Sequence, residues 1–543
     1  MKNRFKLLMI IFLGFIYSCR TEKNFNILDF GAVRDGKTLN TAAIQKAIDE
    51  CSKKGGRVVI PKGVYLSGTL YMKSNVELHI EEGAILKGSA SFKDYPDNKV
   101  TYKNAFTHFE DGKLYANKAF IFAENVSNIS FTGKGTINGS GDSPEFNLGN
   151  DDTSISRSRP CMLLIIDSKH IKLNDLTLEN SAYWLQNYLG CEFLELKGLK
   201  IYNQSNYNQD GMDIDAKHVL VEGCTLDVDD DGICFKSHDP KRIVEDVVVR
   251  NCKISSNCNA IKFGTKSMAG LKNVSISNCN IQKASADPIR HWQKTLKFID
   301  QPITVISGIA LEAVDGGIID SISIFNITMK DVQTPLFIVL GNRGNKPMGD
   351  KNFYNTSAGN TAQQAVGKIS NIQLKNIKAT SHSKMASSIT AFPGHYIENI
   401  TLDNIAFNIM GAGTQQEAIT PLIENPGAYP ENRMYGLAYP ASGFFIRHVK
   451  NLSLNHIKLS VRKPDYRSSI ILDDVLGVNI SNVNLPVPEG NTAAIGLKNS
   501  KNIKVINPVF KSENQPLIQL DGTAEPEIAI AGFKKYKGWL TSL

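Results

Sequence analysis

The densest set of reactive side chains in the sequence is acidic and falls in two short runs. The first is Asn208-Gln-Asp210-Gly-Met-Asp213-Ile-Asp215; the second is Asp227-Val-Asp229-Asp230-Asp231-Gly-Ile-Cys-Phe-Lys236-Ser. Crowded carboxylates resist joint ionisation, so one keeps its proton while a neighbour stays charged. Glycoside hydrolysis needs that division: one acid protonates the leaving oxygen, and one carboxylate acts on water or on the sugar. Asp/Asn runs also make calcium sites and solvated turns. The residue types alone therefore leave catalysis, cation binding and turn formation open.

What brings the two runs together is a repeat. A polar residue followed by alternating apolar positions recurs at Asn128-Ile-Ser-Phe-Thr, His170-Ile-Lys-Leu-Asn, Phe193-Leu-Glu-Leu-Lys, His218-Val-Leu-Val-Glu and Asp246-Val-Val-Val-Arg. It continues at Asn273, Ser321, Asn371, Asn399, Asn451, Val478 and Asn502, and a further Asn or Asp often precedes a second short alternating run. Period-two alternation denotes a strand with one buried face. Recurrence at about 25 residues denotes coils stacked one on the next. Two-residue hairpin turns, the mark of antiparallel pairing, do not separate these strands. The expectation is an all-β, right-handed parallel β-helix, in which Asp210 and Asp230, 20 residues apart, sit side by side on adjacent coils.

An open solenoid end needs a cap. Thr41 to Lys54 carries Ala43, Ile44, Ala47, Ile48 and Cys51 at helical spacing, with Thr41 as N-cap and Gly55-Gly56 as the stop. The organisation expected is a signal segment at 1–19, an N-terminal cap and first coils at 20–115, a catalytic β-helix at 116–525 and a C-terminal tail or cap at 526–543. Segments 283–305, 341–365 and 408–445 lack the repeat and read as long insertions lining a working surface.

Hydrophobic residues make up 42% of the 543 and charged residues 21%, enough for a large core and unlike a disordered or integral membrane chain. Residues 1–19 read as an export signal: Lys2, Arg4 and Lys6, then apolar Leu7 to Tyr17, too short to span a bilayer. Ile16-Tyr17-Ser18-Cys19 resembles a bacterial lipobox, which makes Cys19 the lipid attachment point of a membrane-anchored protein, periplasmic or at the cell surface. Three of the charges behind the net +8 lie in that segment, and no like-charged block remains, so no nucleic-acid partner is expected. Cys191, Cys224, Cys252 and Cys279 are spaced by 33, 28 and 27 residues, unlike a zinc pattern, and read as a stack of small buried side chains. No metal, no cofactor and a monomer are expected.

Several segments together resemble glycoside hydrolase family 28, the polygalacturonase-like pectin hydrolases. They are Asp29-Phe-Gly-Ala-Val-Arg-Asp35-Gly-Lys-Thr, Lys73-Ser-Asn-Val-Glu-Leu, Gly133-Lys-Gly-Thr-Ile-Asn-Gly139, Ser181-Ala-Tyr-Trp184, Asn208-Gln-Asp210-Gly and Asp230-Asp231-Gly-Ile-Cys-Phe-Lys-Ser. The resemblance implies an inverting hydrolase acting on a pectin-type or related acidic polysaccharide or oligosaccharide. In it Asp230 is the general acid, while Asp210 and Asp231 hold and activate water, beside Asn208.

Two departures stand out. Asn259 occupies the position of the family's histidine, and Asn cannot titrate. Gly308-Ile-Ala310-Leu-Glu312 occupies that of its Arg-Ile-Lys, which places a glutamate where a uronate carboxylate would be recognised. Lys262, Arg290, His291 and Arg343 are candidate replacement contacts and Trp292 a stacking platform; His395, Arg447 and His448 read as structural. The insertions favour attack near a chain end. Two alternatives stay open: a polysaccharide lyase using Lys236 or Lys262 as base, and a carbohydrate-binding β-helix that has lost catalysis.

Overall fold

The computed structural model describes residues 23–102, 109–110, 113–114, 117–146, 159–286, 305–343, 365–425, 428–436 and 439–542. Cys19, Arg290, His291 and Trp292 lie outside them. Thirty-five strands join in one sheet through parallel pairings, and a single short antiparallel pair, Phe109–Glu110 with Lys113–Leu114, stands apart. The sheet winds into the expected parallel β-helix.

Register shows how the alternation becomes a core. Val221, Val249, Ile276, Ile324, Leu374, Leu402, Leu454, Ile480 and Val505 stand directly above one another on successive coils. A second column runs Leu226, Ile254, Ile281, Met329, Ala379, Phe407 and Leu459. All are buried in one continuous apolar cluster. Between the two columns the chain must turn sharply, and the repeat's polar residues do this. Asn278, Asn326, Asn376 and Asn404 have φ of 54° to 58° and donate amide to amide up the stack at 3.0, 2.9 and 2.7 Å. The residues that open each repeat turn in the same way. Asn128, His170, Phe193, His218, Asp246, Asn273, Ser321, Asn371, Asn399, Asn451 and Asn502 all have φ between 55° and 60°. Asn and Asp tolerate this left-handed region best among side-chain-bearing residues, which explains the composition of the repeat.

The cap helix α1, Thr41–Ser52, buries Ile44, Ala47, Ile48 and Cys51 against the first coils. Asn40, not Thr41, is its N-cap, and Asn40 makes no capping bond there, because its amide is spent on Val33 and Thr38. Thr41 instead accepts from the Gly68 N–H at 2.7 Å. The cysteine column is shorter than expected. Cys224, Cys252 and Cys279 occupy equivalent places on three successive coils, whereas Cys191 sits in another ladder beside Ala216, with its thiol donating to the Ile165 carbonyl at 3.3 Å. All are buried free thiols.

One ladder carries the acidic runs. Its strands are β1 (Gln186–Lys197), β2 (Met212–Glu222), β3 (Ile233–Ser237), β4 (Asn259–Ser267), β5 (Ser307–Ala313), β6 (Thr334–Leu340) and β7 (Ser387–Ala391). Ile214, Phe235, Phe263, Leu311, Ile338 and Ile389 align across β2 to β7 and face the core. The alternate positions Asn187, Asp213, Cys234, Lys262, Ala310 and Phe337 therefore align on the outer face of β1 to β6.

Candidate active site

Asp210 precedes β2, while Asp230 and Asp231 precede β3. The register of these strands, Met212 beside Ile233, sets Asp210 beside Asp231, one place on from the Asp230 suggested by the 20-residue spacing. The Gly211 N–H donates to the Asp231 carbonyl at 2.9 Å, fixing that alignment. Gly211 and Gly232 allow it: a Cβ on Gly211 would lie 2.6 Å from the Gly232 carbonyl oxygen, and one on Gly232 equally close to that of Ala260. Asp210, Asp230 and Asp231 are all buried.

Each turn is held by neighbours that the residue runs did not single out. Arg159 is buried, donates to the Ala182 and Tyr207 carbonyls at 2.7 and 2.8 Å, and lies over the Tyr207 ring at 4.1 Å. It thus secures the turn that contains Asn208, whose φ is 55° and whose side chain it reaches at 3.5 Å. The Ser256 hydroxyl donates to the Asp230 carbonyl at 2.6 Å and accepts from the Cys258 N–H at 2.8 Å. The Asp231 N–H donates to the Asp230 carboxylate at 2.9 Å.

Asn259 does not replace a titrating group, but it has a clear role: its amide donates to Asp231 Oδ1 at 2.8 Å. Lys262 Nζ donates to Asp231 Oδ2 at 3.0 Å. Burial pushes the Asp231 carboxyl up, but the charges of Lys262 and Lys236 and these two hydrogen bonds outweigh it and hold Asp231 below the ordinary range. Lys236 forms a second cationic corner, 2.5 Å from Asp213, 3.7 Å from Asp210 and 5.0 Å from the centre of the Trp184 ring. Burial raises Asp213 despite that lysine. The site thus holds carboxylates whose proton affinities are driven in opposite directions.

Asp230, Asp231 and Cys258 also bring ligand atoms within 4.8 Å of one another. As a metal donor set they fit poorly. Burial pushes the Cys258 thiol well above its ordinary value, and both Asp231 oxygens are already engaged.

Beyond Lys262 the outer face changes character. Glu312 is buried 3.8 Å from Lys262, and Ala310 stands directly beside Lys262 on β5. Arg343 grips Asp315 with two bonds of 2.7 Å. Part of the 408–445 insertion packs here. Asn432 donates to the Ile306 carbonyl and the Thr334 hydroxyl at 2.8 and 2.9 Å, and Met434 is buried with Ala310, Phe337 and Val339. Arg447 and His448 belong to a separate network with Glu424, Asp473 and Asp474, with bonds of 2.7 to 3.1 Å.

Residues 51–424 match the family described as Glycosyl hydrolases family 28. The chain belongs to that family. A "Probable polygalacturonase" of Vitis vinifera is 29% identical over 229 residues, 40% of this chain and 45% of that protein. An "Exo-poly-alpha-D-galacturonosidase" of Dickeya chrysanthemi is 42% identical over 120 residues, 22% of this chain and 20% of its own length. The chain thus spans less than half the length of each of these relatives. Among solved structures, a hyperthermoactive exopolygalacturonase from Thermotoga maritima shares the fold, with a TM-score of 0.56 and 20% identity over 79% of this chain and 91% of that one.

Proposed function

We propose that this family 28 chain is an inverting glycoside hydrolase of pectin-type acidic polysaccharide or oligosaccharide, with Asp230 as general acid and Asp210 and Asp231 as the carboxylates that hold and activate water. The observation that carries the reading is the treatment of Asp231. Asn259 and Lys262 keep it ionised where it lies beside Asp230, as a carboxylate that activates water must be. Names of relatives that act on galacturonan support the substrate class. Attack near a chain end is favoured by the 428–436 segment, which is docked across β5 and β6 on one side of the aspartates.

The lyase alternative needs an unprotonated lysine. Burial pulls Lys236 and Lys262 down, but Asp213 for the first and Asp231 for the second raise both well above the ordinary lysine value, so neither offers a base. Asp230→Asn should lower turnover of a pectic oligosaccharide by roughly 10²–10⁴-fold with unchanged thermal unfolding. Wild-type turnover in that variant would remove Asp230 from the mechanism. NMR of the first-formed anomer tests inversion, which a retained configuration would rule out. The chain is further read as an exported lipoprotein acylated at Cys19. Radiolabelled palmitate should enter the wild type and not Cys19→Ser, and equal labelling of both would refute the anchor.

A further inference from the structure

Glu312 has no evident structural purpose where it stands. It projects from β5 on the outer face, 1% exposed, and neither carboxylate oxygen has a hydrogen-bond partner among the described residues. Lys262 lies 3.8 Å away, too far for a direct bond, and is committed to Asp231 at 3.0 Å. A buried carboxyl without a partner is costly, and one that only stabilised the fold would be better replaced by an apolar residue. Small residues flank it on one side. The place beside Lys262 on β5 is only Ala310, and the place across from Glu312 on β4 is Gly264, where a Cβ would lie 3.2 Å from the Glu312 Cβ. The exposed Tyr429, from the insertion that closes this end, brings its phenol into the electrostatic field of Lys262, Glu312 and Asp231.

We propose that Glu312, with Lys262 and Tyr429, forms a subsite that hydrogen-bonds the hydroxyls of an uncharged sugar next to the catalytic aspartates, and that Glu312 sets specificity there by standing where a cation would be needed to hold a uronate carboxylate. This rests on the hydrolase reading above and narrows its substrate to a chain with a neutral residue beside the cleaved bond. The charges agree. Lys262 is the nearest cation and its charge is matched by Asp231, so a uronate placed here would set a second ionised carboxylate against one lysine. A hydroxyl can both donate to and accept from the Glu312 carboxyl. Burial pushes Glu312 up to about 8, with Lys262 opposing and Asp231 adding, so near neutral pH the carboxyl keeps a proton to donate.

The test is binding, so that it stands apart from turnover. Calorimetry would compare a galacturonate trisaccharide with its carboxyl-reduced counterpart, in which each carboxylate is a hydroxymethyl group. The proteins are wild type, Glu312→Gln and Glu312→Lys in the full chain at about pH 6.5. Wild type should favour the reduced form by about tenfold, Glu312→Gln should keep that preference within about threefold, and Glu312→Lys should reverse it. Should Glu312→Lys fail to fold, raising the pH to about 9 should widen the wild-type preference as Glu312 ionises and leave that of Glu312→Gln unchanged. The groups facing Glu312 are Lys262, Asp231, Arg343, Glu431 and Tyr429, and the glutamine variant cancels their own titrations. A wild type that favours the unreduced form, binds both equally or binds neither overturns the subsite, as does a preference that no Glu312 variant moves. Loss of the hydrolase reading would show separately, as an Asp230→Asn variant that still turns over substrate.

Discussion

Lys262 is the residue on which the acid–base division depends most directly. Its ammonium is 3.0 Å from Asp231 and almost wholly buried, so its field is little screened. Replacing it by methionine keeps the length of the stem and removes the charge. Asp231 then loses a large part of what holds its proton affinity down, although Lys236 and Asn259 remain. The sign follows from the direction of the shift. A carboxylate held below its ordinary range is ionised down to low pH; with the cation gone it binds a proton at higher pH. The acid limb of the kcat/KM profile of Lys262→Met should therefore move to higher pH, while Asn259→Ala, which removes one hydrogen bond and no charge, should move it less. A limb that stays in place in Lys262→Met would detach Lys262 from Asp231. The sequence made Asp210, Asp230 and Asp231 visible because they are contiguous runs. It offered no sign of Arg159, Ser256 or Tyr429, which reach the site from other coils and from an insertion without any repeat. Arg343 was legible only as a cation near the groove, and its partner Asp315 lies 28 residues away on a neighbouring coil. Which charge a buried cation serves is decided by strand register, and one residue of register separates Asp210 beside Asp231 from Asp210 beside Asp230.

At the scale of the element, the unit is the corner between two short strands. Asn326 is a good example: its φ is 58°, its amide donates to Asn278 at 3.0 Å, and its own oxygen accepts from Asn376 at 2.9 Å. Alanine there would keep the strained backbone and lose both bonds, at a cost of about 1–2 kcal/mol. Glycine would lose the bonds but relieve the backbone, so Asn326→Gly should be the milder change. Urea unfolding of both variants checks the order, and an alanine variant as stable as the glycine one would show that backbone strain is not what the asparagine answers. This is why the repeat was readable. Apolar alternation gives the strands, and the turn chemistry that joins them admits few residue types, so each coil carries the same signature. The helix cap was also readable, from the spacing of Ile44, Ala47, Ile48 and Cys51. Its N-cap, Asn40, was not, because Asn40 is drawn away from capping by Val33 and Thr38, a tertiary demand that the local sequence does not display.

Over the whole molecule the stacking makes stability nearly one-dimensional, since the strands of each coil pair only with those of the coils beside it and few segments, such as 428–436, reach further. The C-terminal end shows what that implies. Leu540–Ser542 pairs with Ile518–Asp521, the Trp539 carbonyl accepts from Leu517 and Ile518 at 2.9 and 3.1 Å, and the Trp539 ring is packed against the end of the core, near Phe533. Nine ladder steps separate this strand from β3, roughly 45 Å at the usual strand spacing. Trp539→Ala removes apolar cover worth about 1–2 kcal/mol from the last coil and nothing from the site. Amide exchange should accordingly quicken within 517–542 and leave 186–237 unchanged, with turnover unaffected. If protection fell equally along the chain, the coils would be unfolding as one cooperative unit, and distant end contacts would then matter to the site after all. A local response would mean that the insertions and unusual residues around Lys262 and Glu312 are free to vary without endangering the fold, because a change in one coil is felt mainly by the two that flank it.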